Sequence, residues 1–357
     1  MKITIVNRHR DDMLGGSELQ CDFIATELVK RGYAVHYVAP EGSKERIYDW
    51  PYTVLPCKNQ PEDISREILS TNPDLVLWRF NKHHFFPVIR KLKKEKIPVL
   101  FAASSVNDVD PWFYKKKNGI RKTVKSLVKS HWNHLGMRLV DAVTVNNAEY
   151  LNRLSVADQY FVPNGMPIDS EPFEWNKRYC AWVSNIKQIK RPEKLVELAT
   201  CFRSEDVDFI MVGDIQEPSY EWMRTPGNLP DNVYYLGVKT PEEVNGILKS
   251  AEIHIHTCYP EGFPNVFIQA WMQGTPSVSF GFDPSDYLKT KEMGFDAKEN
   301  WEDFKRYVKL LLDDEALRVK LGGNASRFAH DTFRIEKTVD KLEEIFAKLI
   351  KKVNVSG

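Results

Sequence analysis

Short β-rich runs alternate with helical patterns along almost the whole chain, and this alternation narrows the fold more than any other feature. Lys2–Val6 reads as a strand, Gly16–Arg31 as a helix with Leu19, Phe23, Ile24 and Leu28 on its apolar side, and Ala34–Ala39 as the next strand. Asp74–Trp78, Pro98–Ala103 and Asp141–Val145 are further short apolar runs. Strands spaced by helices require crossover connections, and these build a parallel, doubly wound sheet. The series restarts after Pro163-Asn164-Gly165, Pro167 and Pro172, with strands expected at Tyr179–Val183, Val207–Val212, Val233–Leu236, Glu252–His256 and Thr275–Phe280. From Trp301 to Lys352 the pattern is helical, with breaks expected near Gly322-Gly323 and Asp331–Phe333. The chain of 357 residues is long enough for about two domains. The expected organisation is α/β, with two Rossmann-like doubly wound domains facing a cleft. Residues 1–168 form the first domain, 169–332 the second, and 333–357 a helix crossing back to the first.

Composition excludes several classes. Lys and Arg number 50 against 49 Asp and Glu, a formal charge of +1, which argues against a whole-molecule polyanion binder. Hydrophobic residues at 42% exclude disorder as the main state. No apolar run approaches the roughly 18 residues of a membrane span, and the start reads too short for a signal peptide. The five cysteines, at 21, 57, 180, 201 and 258, form no C-x-x-C pair and read as reduced thiols in a cytoplasmic protein. Two D-x-D strings, at 108–110 and 206–208, match the roughly 1.5 expected by chance.

Two segments carry candidate chemistry. Gly15-Gly16-Ser17-Glu18 follows a strand and opens a helix, where glycines let a ligand approach the backbone and the helix start favours phosphate. An ordinary loop with Ser17 as N-cap explains it equally well. In the second half, a strand ending near Thr257 is followed by Glu261-Gly262-Phe263-Pro264-Asn265-Val266 and a helix. A carboxylate there suits sugar hydroxyls, and amides at the helix start suit negative charge. Gln269 shares a helix face with Asn265. Lys190 and Arg191 lie between a strand and a helix, where cations hold a diphosphate leaving group.

Together with Pro163-Asn164-Gly165, Val212-Gly213-Asp214 and Tyr235-Leu236-Gly237, these segments occur in an order that resembles the retaining GT-B glycosyltransferases of glycosyltransferase family 4. The resemblance is densest from 179 to 280. It implies a UDP- or GDP-linked nucleotide-sugar donor on the second domain, a glycan or lipid-linked acceptor on the first, and transfer with retention. It implies no metal or other cofactor. Glu261 matches a donor-sugar carboxylate and Lys190 the phosphate-binding lysine. Gln269 stands where the family has a second glutamate, and Asn185 where it has an arginine; Arg191 is the neighbouring charge. Gly15 and Gly16 match the glycine loop. No histidine follows Pro98–Ala103, which leaves Ser104, Ser105, Asn107 and Asp108 on that side, with Asp108 the candidate catalytic group. The expected setting is surface polysaccharide or glycolipid assembly. The departures from the pattern motivate an alternative, a degenerate GT-B protein that binds nucleotide or glycan as a partner subunit. A sugar-nucleotide epimerase or phosphorylase on the same fold is a third reading.

Residues 115–138 carry eight Lys and Arg and no Asp or Glu, with Leu127, Val128, Trp132 and Leu135 as an apolar stripe. They suit peripheral contact with the anionic inner face of a membrane as well as they suit a solvated helix packed on the sheet. Nucleic acid is not expected, since no binding motif accompanies the charge. His254 and His256 share one strand face without a third metal ligand, and His256 is expected to line the donor site.

Overall fold

The computed structural model describes residues 1–13, 15–80, 85–104, 106–109, 120–151, 154, 156, 158–167, 170–225, 227–259 and 263–356. The chain divides into two compact units, one of Met1–Met166 with Ile335–Gly357, the other of Pro167–Arg334.

The first unit holds a seven-stranded parallel sheet. Its strands are β1 (Lys2–Val6), β2 (Ala34–Pro40), β3 (Thr53–Cys57), β4 (Leu75–Trp78), β5 (Val99–Ala103), β6 (Ala142–Val145) and β7 (Gln159–Phe161), in the order β3-β2-β1-β4-β5-β6-β7. Helices α1 (Gly16–Lys30), α2 (Pro61–Ser70), α3 (Phe85–Lys94), α4 (Val106–Val109) and α5 (Ile120–Leu135) lie among them in sequence. β4 and β5 are buried at every residue, which is why LVLW and VLFAA read as unbroken apolar runs. The order reverses direction between β1 and β4, and such a switch point leaves a crevice beyond the strand C-termini.

The second unit repeats this plan with β8 (Tyr179–Val183), β9 (Asp208–Val212), β10 (Val233–Tyr235), β11 (Ile253–His256), β12 (Ser277–Ser279) and β13 (Gly294–Asp296), in the order β10-β9-β8-β11-β12-β13. Its helices are α6 (Pro192–Cys201), α7 (Pro241–Ser250), α8 (Asn265–Met272), α9 (Tyr287–Thr290), α10 (Trp301–Asp313) and α11 (Glu315–Thr332). Here the switch point lies between β8 and β11. The last helix, α12 (Ile335–Ser356), returns to the first unit, where Arg31 donates to Asp340, Glu343 and the Glu336 carbonyl. Gly165 is needed beside it, because a Cβ there would lie 2.6 Å from Thr338 Oγ1 and 2.8 Å from Ile335 Cα.

The strands not foreseen, β3, β7 and β13, are all sheet edges. β3 carries Pro56, which an edge tolerates because one side of its backbone needs no partner. The break expected at Gly322-Gly323 does not occur: α11 runs through it, and the chain turns instead at Asp314, whose carboxylate accepts from Leu317 N at 2.8 Å. Gly322 serves packing, since a Cβ there would sit 2.1 Å from the Gly274 carbonyl oxygen. Asp208 of the second D-x-D string is a buried acceptor for Trp175 Nε1 at 2.9 Å.

Candidate functional site

In the second unit the chain leaves β8 at Ser184 and Asn185 and winds to Lys190 and Arg191 before α6. Asn185 is half-buried at this strand end. The preceding Ser184 carbonyl is packed so closely against Gly213 that a Cβ there would lie 1.9 Å from it; Gly213 has φ 145°. Only glycine suits that contact, and this is the physical content of Val212-Gly213-Asp214. Arg191 has φ 50° and ψ 51°, a left-handed conformation that a non-glycine residue holds at a cost of about 1 kcal/mol or more. Pro192 then opens α6.

The neighbouring strand holds this turn in place. Thr257, at the end of β11, donates its hydroxyl to the Lys190 carbonyl at 2.6 Å and accepts from Trp182 Nε1 at 2.9 Å. The Lys190 backbone is thereby fixed at the switch point, and its half-buried side chain interacts with the Cys258 thiol. Burial pushes its pKa below the ordinary lysine range; Cys258 opposes that shift and Lys187 adds to it. A partly dehydrated cation attracts an anion more strongly than one in bulk water. Arg191 points elsewhere, its Nη1 paired with Glu299 Oε1 at 2.6 Å.

Beyond β11, Glu261 and Gly262 lie outside the described residues. Pro264 precedes α8 without a side-chain cap, and Asn265 and Val266 begin its first turn half-buried. The Phe263 ring is buried against Trp271, Tyr287 and Phe333, so its side chain belongs to the core and the backbone is what it offers a ligand. Gln269 is also buried, and its Nε2 donates to Asn245 Oδ1 at 3.0 Å. His256 is a correction to the expectation of a site-lining residue. Its ring is 5% exposed, lies against Phe267 and Phe282, faces Ser279 Oγ at 3.3 Å, and burial holds it neutral, well below the usual histidine range. Among the described residues no three His, Cys, Asp or Glu side chains gather into a metal site.

In the first unit Gly15 is the N-cap of α1, and Ser17 is not. The Ser17 hydroxyl instead accepts from Asn7 Nδ2 at 3.1 Å. The Glu18 carboxylate folds back over Gly15, where a Cβ would collide with it, and Gly16 begins the helix. The preceding loop is anchored by His9, fully buried between Tyr37, Tyr48 and Trp50 and 3.1 Å from Tyr52 Oη. Tyr52 in turn donates to Asp22, which also pairs with Arg10 at 2.6 Å. Asp108 is buried on α4, and its Oδ2 accepts from Ser104 N at 2.9 Å and Ser104 Oγ at 3.2 Å. That geometry makes it the group that shapes the β5 turn. The side chain of Asn107, like the whole of Ser105, lies outside the described residues.

Residues 168–328 match the family model described as Glycosyl transferases group 1. The match falls within the second unit, which is similar to a group 1 glycosyltransferase domain. The chain is 28% identical over 150 residues to an uncharacterized glycosyltransferase of Methanocaldococcus jannaschii, a match spanning 41% of this chain and 38% of that protein. It is 23% identical over 321 residues, 81% of each chain, to the N,N'-diacetylbacillosaminyl-diphospho-undecaprenol alpha-1,3-N-acetylgalactosaminyltransferase of Campylobacter jejuni. Among solved structures, sucrose-phosphate synthase from Thermosynechococcus elongatus aligns with a TM-score of 0.79 at 15% identity, over 99% of this chain and all of that one. Anabaena HepE in complex with UDP-glucose aligns at 0.75 and 15% identity, over 98% of this chain and all of that one. Two parallel Rossmann-like sheets of this kind are the GT-B fold.

Sequence reasoning missed Arg79 and Asn146, polar residues that directly follow apolar strands of the first unit, and gave Asn164 no role beyond the linker and the Pro163-Asn164-Gly165 motif. An arginine immediately after LVLW was the available signal.

Proposed function

We propose that the chain is a retaining glycosyltransferase that moves a hexose-type sugar from a UDP- or GDP-linked donor to a glycan or lipid-linked acceptor, without a resident metal or cofactor. The observation that carries this reading is Lys190, a partly dehydrated cation whose backbone Thr257 holds at the switch point of a unit similar to a group 1 domain. It is suited to stabilise the charge that grows on the departing diphosphate. The amides at the start of α8 add to it, and Glu261 orients the sugar. As the sugar–phosphate bond breaks, the acceptor hydroxyl attacks on the face the leaving group vacates and passes its proton to the departing diphosphate, which gives retention. Donor turnover in the presence of a chelator tests this: hydrolysis or transfer that survives chelation and disappears in Lys190→Ala supports it, and activity unchanged in Lys190→Ala contradicts it.

The lipid-linked acceptor is supported by the diphospho-undecaprenol named in the Campylobacter relative. It is also supported by α5. Ile120, Val124 and Val128, one above another on that helix, are 84%, 50% and 64% exposed, and Arg121, Lys122 and Lys125 beside them are exposed too. Leu127 and Leu135, expected on the same stripe, are instead half-buried, so the outward stripe is a different one; the Trp132 side chain lies outside the described residues. This surface suits the anionic inner face of a membrane in surface polysaccharide or glycolipid assembly. No described helix is long and apolar enough to cross a membrane. Co-sedimentation with anionic vesicles that is lost in Val124→Asp supports the contact; equal sedimentation with neutral vesicles contradicts it. The alternative, a degenerate partner subunit, is favoured by Gln269, whose amide is directed at Asn245.

A further inference from the structure

Arg79 follows β4, the central strand of the first unit, and its backbone N–H donates to the Val6 carbonyl at 3.0 Å, which pins it beside the end of β1. It therefore stands at the first unit's own switch point. The residue is 9% exposed. One guanidinium nitrogen, Nη2, donates to Asn164 Oδ1 at 2.8 Å, while Nε is buried without a partner. Among the described residues no carboxylate lies within ion-pair distance of it. Gln20 of α1 exchanges two 2.9 Å hydrogen bonds with the backbone of Gly165, the residue after Asn164, which places the guanidinium's partner beside the first turns of that helix. The nearby Arg8 is spent on Glu41 at 2.5 Å and on the Phe80 ring. A second orphan, Asn146 Oδ1, is buried at the end of β6 on the same edge of the sheet.

A buried cation is ordinarily paired, because dehydrating it unpaired costs several kcal/mol. An arginine fork with one arm fixed by a neutral amide and an adjacent N–H unmet is the geometry that accepts two oxygens of an oxyanion. We propose that Arg79, with Asn164 holding its fork and the start of α1 beside it, binds a phosphoryl group. The glycosyltransferase reading supplies two sources for that group, the phosphate of a lipid-linked acceptor or the donor diphosphate. Anion binding itself does not depend on that reading.

The test is calorimetry on the full chain with inorganic pyrophosphate, UDP and GDP as probes. On the acceptor-side arm, pyrophosphate binds the chain already saturated with UDP or GDP; Arg79→Gln weakens that binding about tenfold or more and leaves nucleotide affinity within about twofold. On the donor-side arm, Arg79→Gln weakens the nucleotide itself about tenfold, and pyrophosphate competes with it. Unchanged affinity for all three probes in a folded Arg79→Gln variant overturns the proposal. If Arg79→Gln fails to fold, Arg79→Lys keeps the charge and loses the fork; pyrophosphate affinity reduced several-fold supports the site, and unchanged affinity overturns it. Should neither nucleotide bind the wild-type chain, the donor reading has failed, and Arg79 is then judged on pyrophosphate alone.

Discussion

The two units build one topology twice and equip its switch point differently. In the second, the loop after β8 delivers a cation on a strained turn, and β11 clamps that turn through Thr257. In the first, the corresponding strand ends carry amides and, among the described residues, one buried arginine, and a network of aromatic rings and carboxylates around His9 holds the loop. Lys190 lies on a loop, whereas Arg79 directly follows the end of a central strand. The sheet sets where a ligand rests; the first few residues beyond each strand set what it is. A shared fold therefore leaves the ligand to be set by these loops.

The largest expected effect is structural. Gly213→Ala drives a Cβ into the Ser184 carbonyl and should destabilise the second unit by about 3 kcal/mol or more, read by denaturant unfolding. If the variant is as stable as wild type, the close approach of β8 and β9 ends is wrong. Glu261→Ala should lower transfer by about a hundredfold or more with the fold intact, as loss of a group acting at the reacting sugar does. Full transfer at unchanged donor affinity removes Glu261 from the reaction.

Lys190→Ala should weaken nucleoside diphosphate binding by about tenfold to a hundredfold, whereas Arg191→Ala, whose guanidinium is held by Glu299, should cost only about two- to fivefold. Equal losses in the two variants would erase the distinction drawn between these neighbours. Because burial holds Lys190 below the ordinary lysine range, its charge is lost earlier as pH rises. Donor affinity should therefore fall on the alkaline side before an exposed lysine would titrate, and Lys190→Arg should move that limb upward. A limb that stays in place points to another group. The smallest effect is Gly323→Ala, an open position inside α11, which should stabilise the second unit by about 0.5–1 kcal/mol.

The alternation of apolar runs and helices was enough to read the two doubly wound sheets, because fully buried strands such as LVLW and VLFAA leave an unambiguous trace. Edge strands left less: β3 contains a proline, and β7 and β13 have three residues each. The place of Lys190 between a strand and a helix was legible, and the structure puts it there. Arg191 was read as a further donor-binding charge because spacing gives no sign of Glu299, more than a hundred residues away. The burial of Phe263 and His256 was hidden for a similar reason, since their neighbours Phe333, Phe282 and Ser279 meet them only in the folded chain. Gly322-Gly323 resembled a helix break, and only the contact with Gly274 shows why glycine stands there.

The central claim is that the second unit uses a lysine-anchored diphosphate site to activate a nucleotide sugar. The most direct test is a chelator-treated panel of nucleotide sugars, followed by thermal shift and by slow donor hydrolysis in wild type and Lys190→Ala. The account predicts that one donor both raises the melting temperature and is hydrolysed, and that Lys190→Ala loses both effects. A panel in which no nucleotide sugar stabilises the chain, or in which Lys190→Ala responds as wild type does, would contradict it.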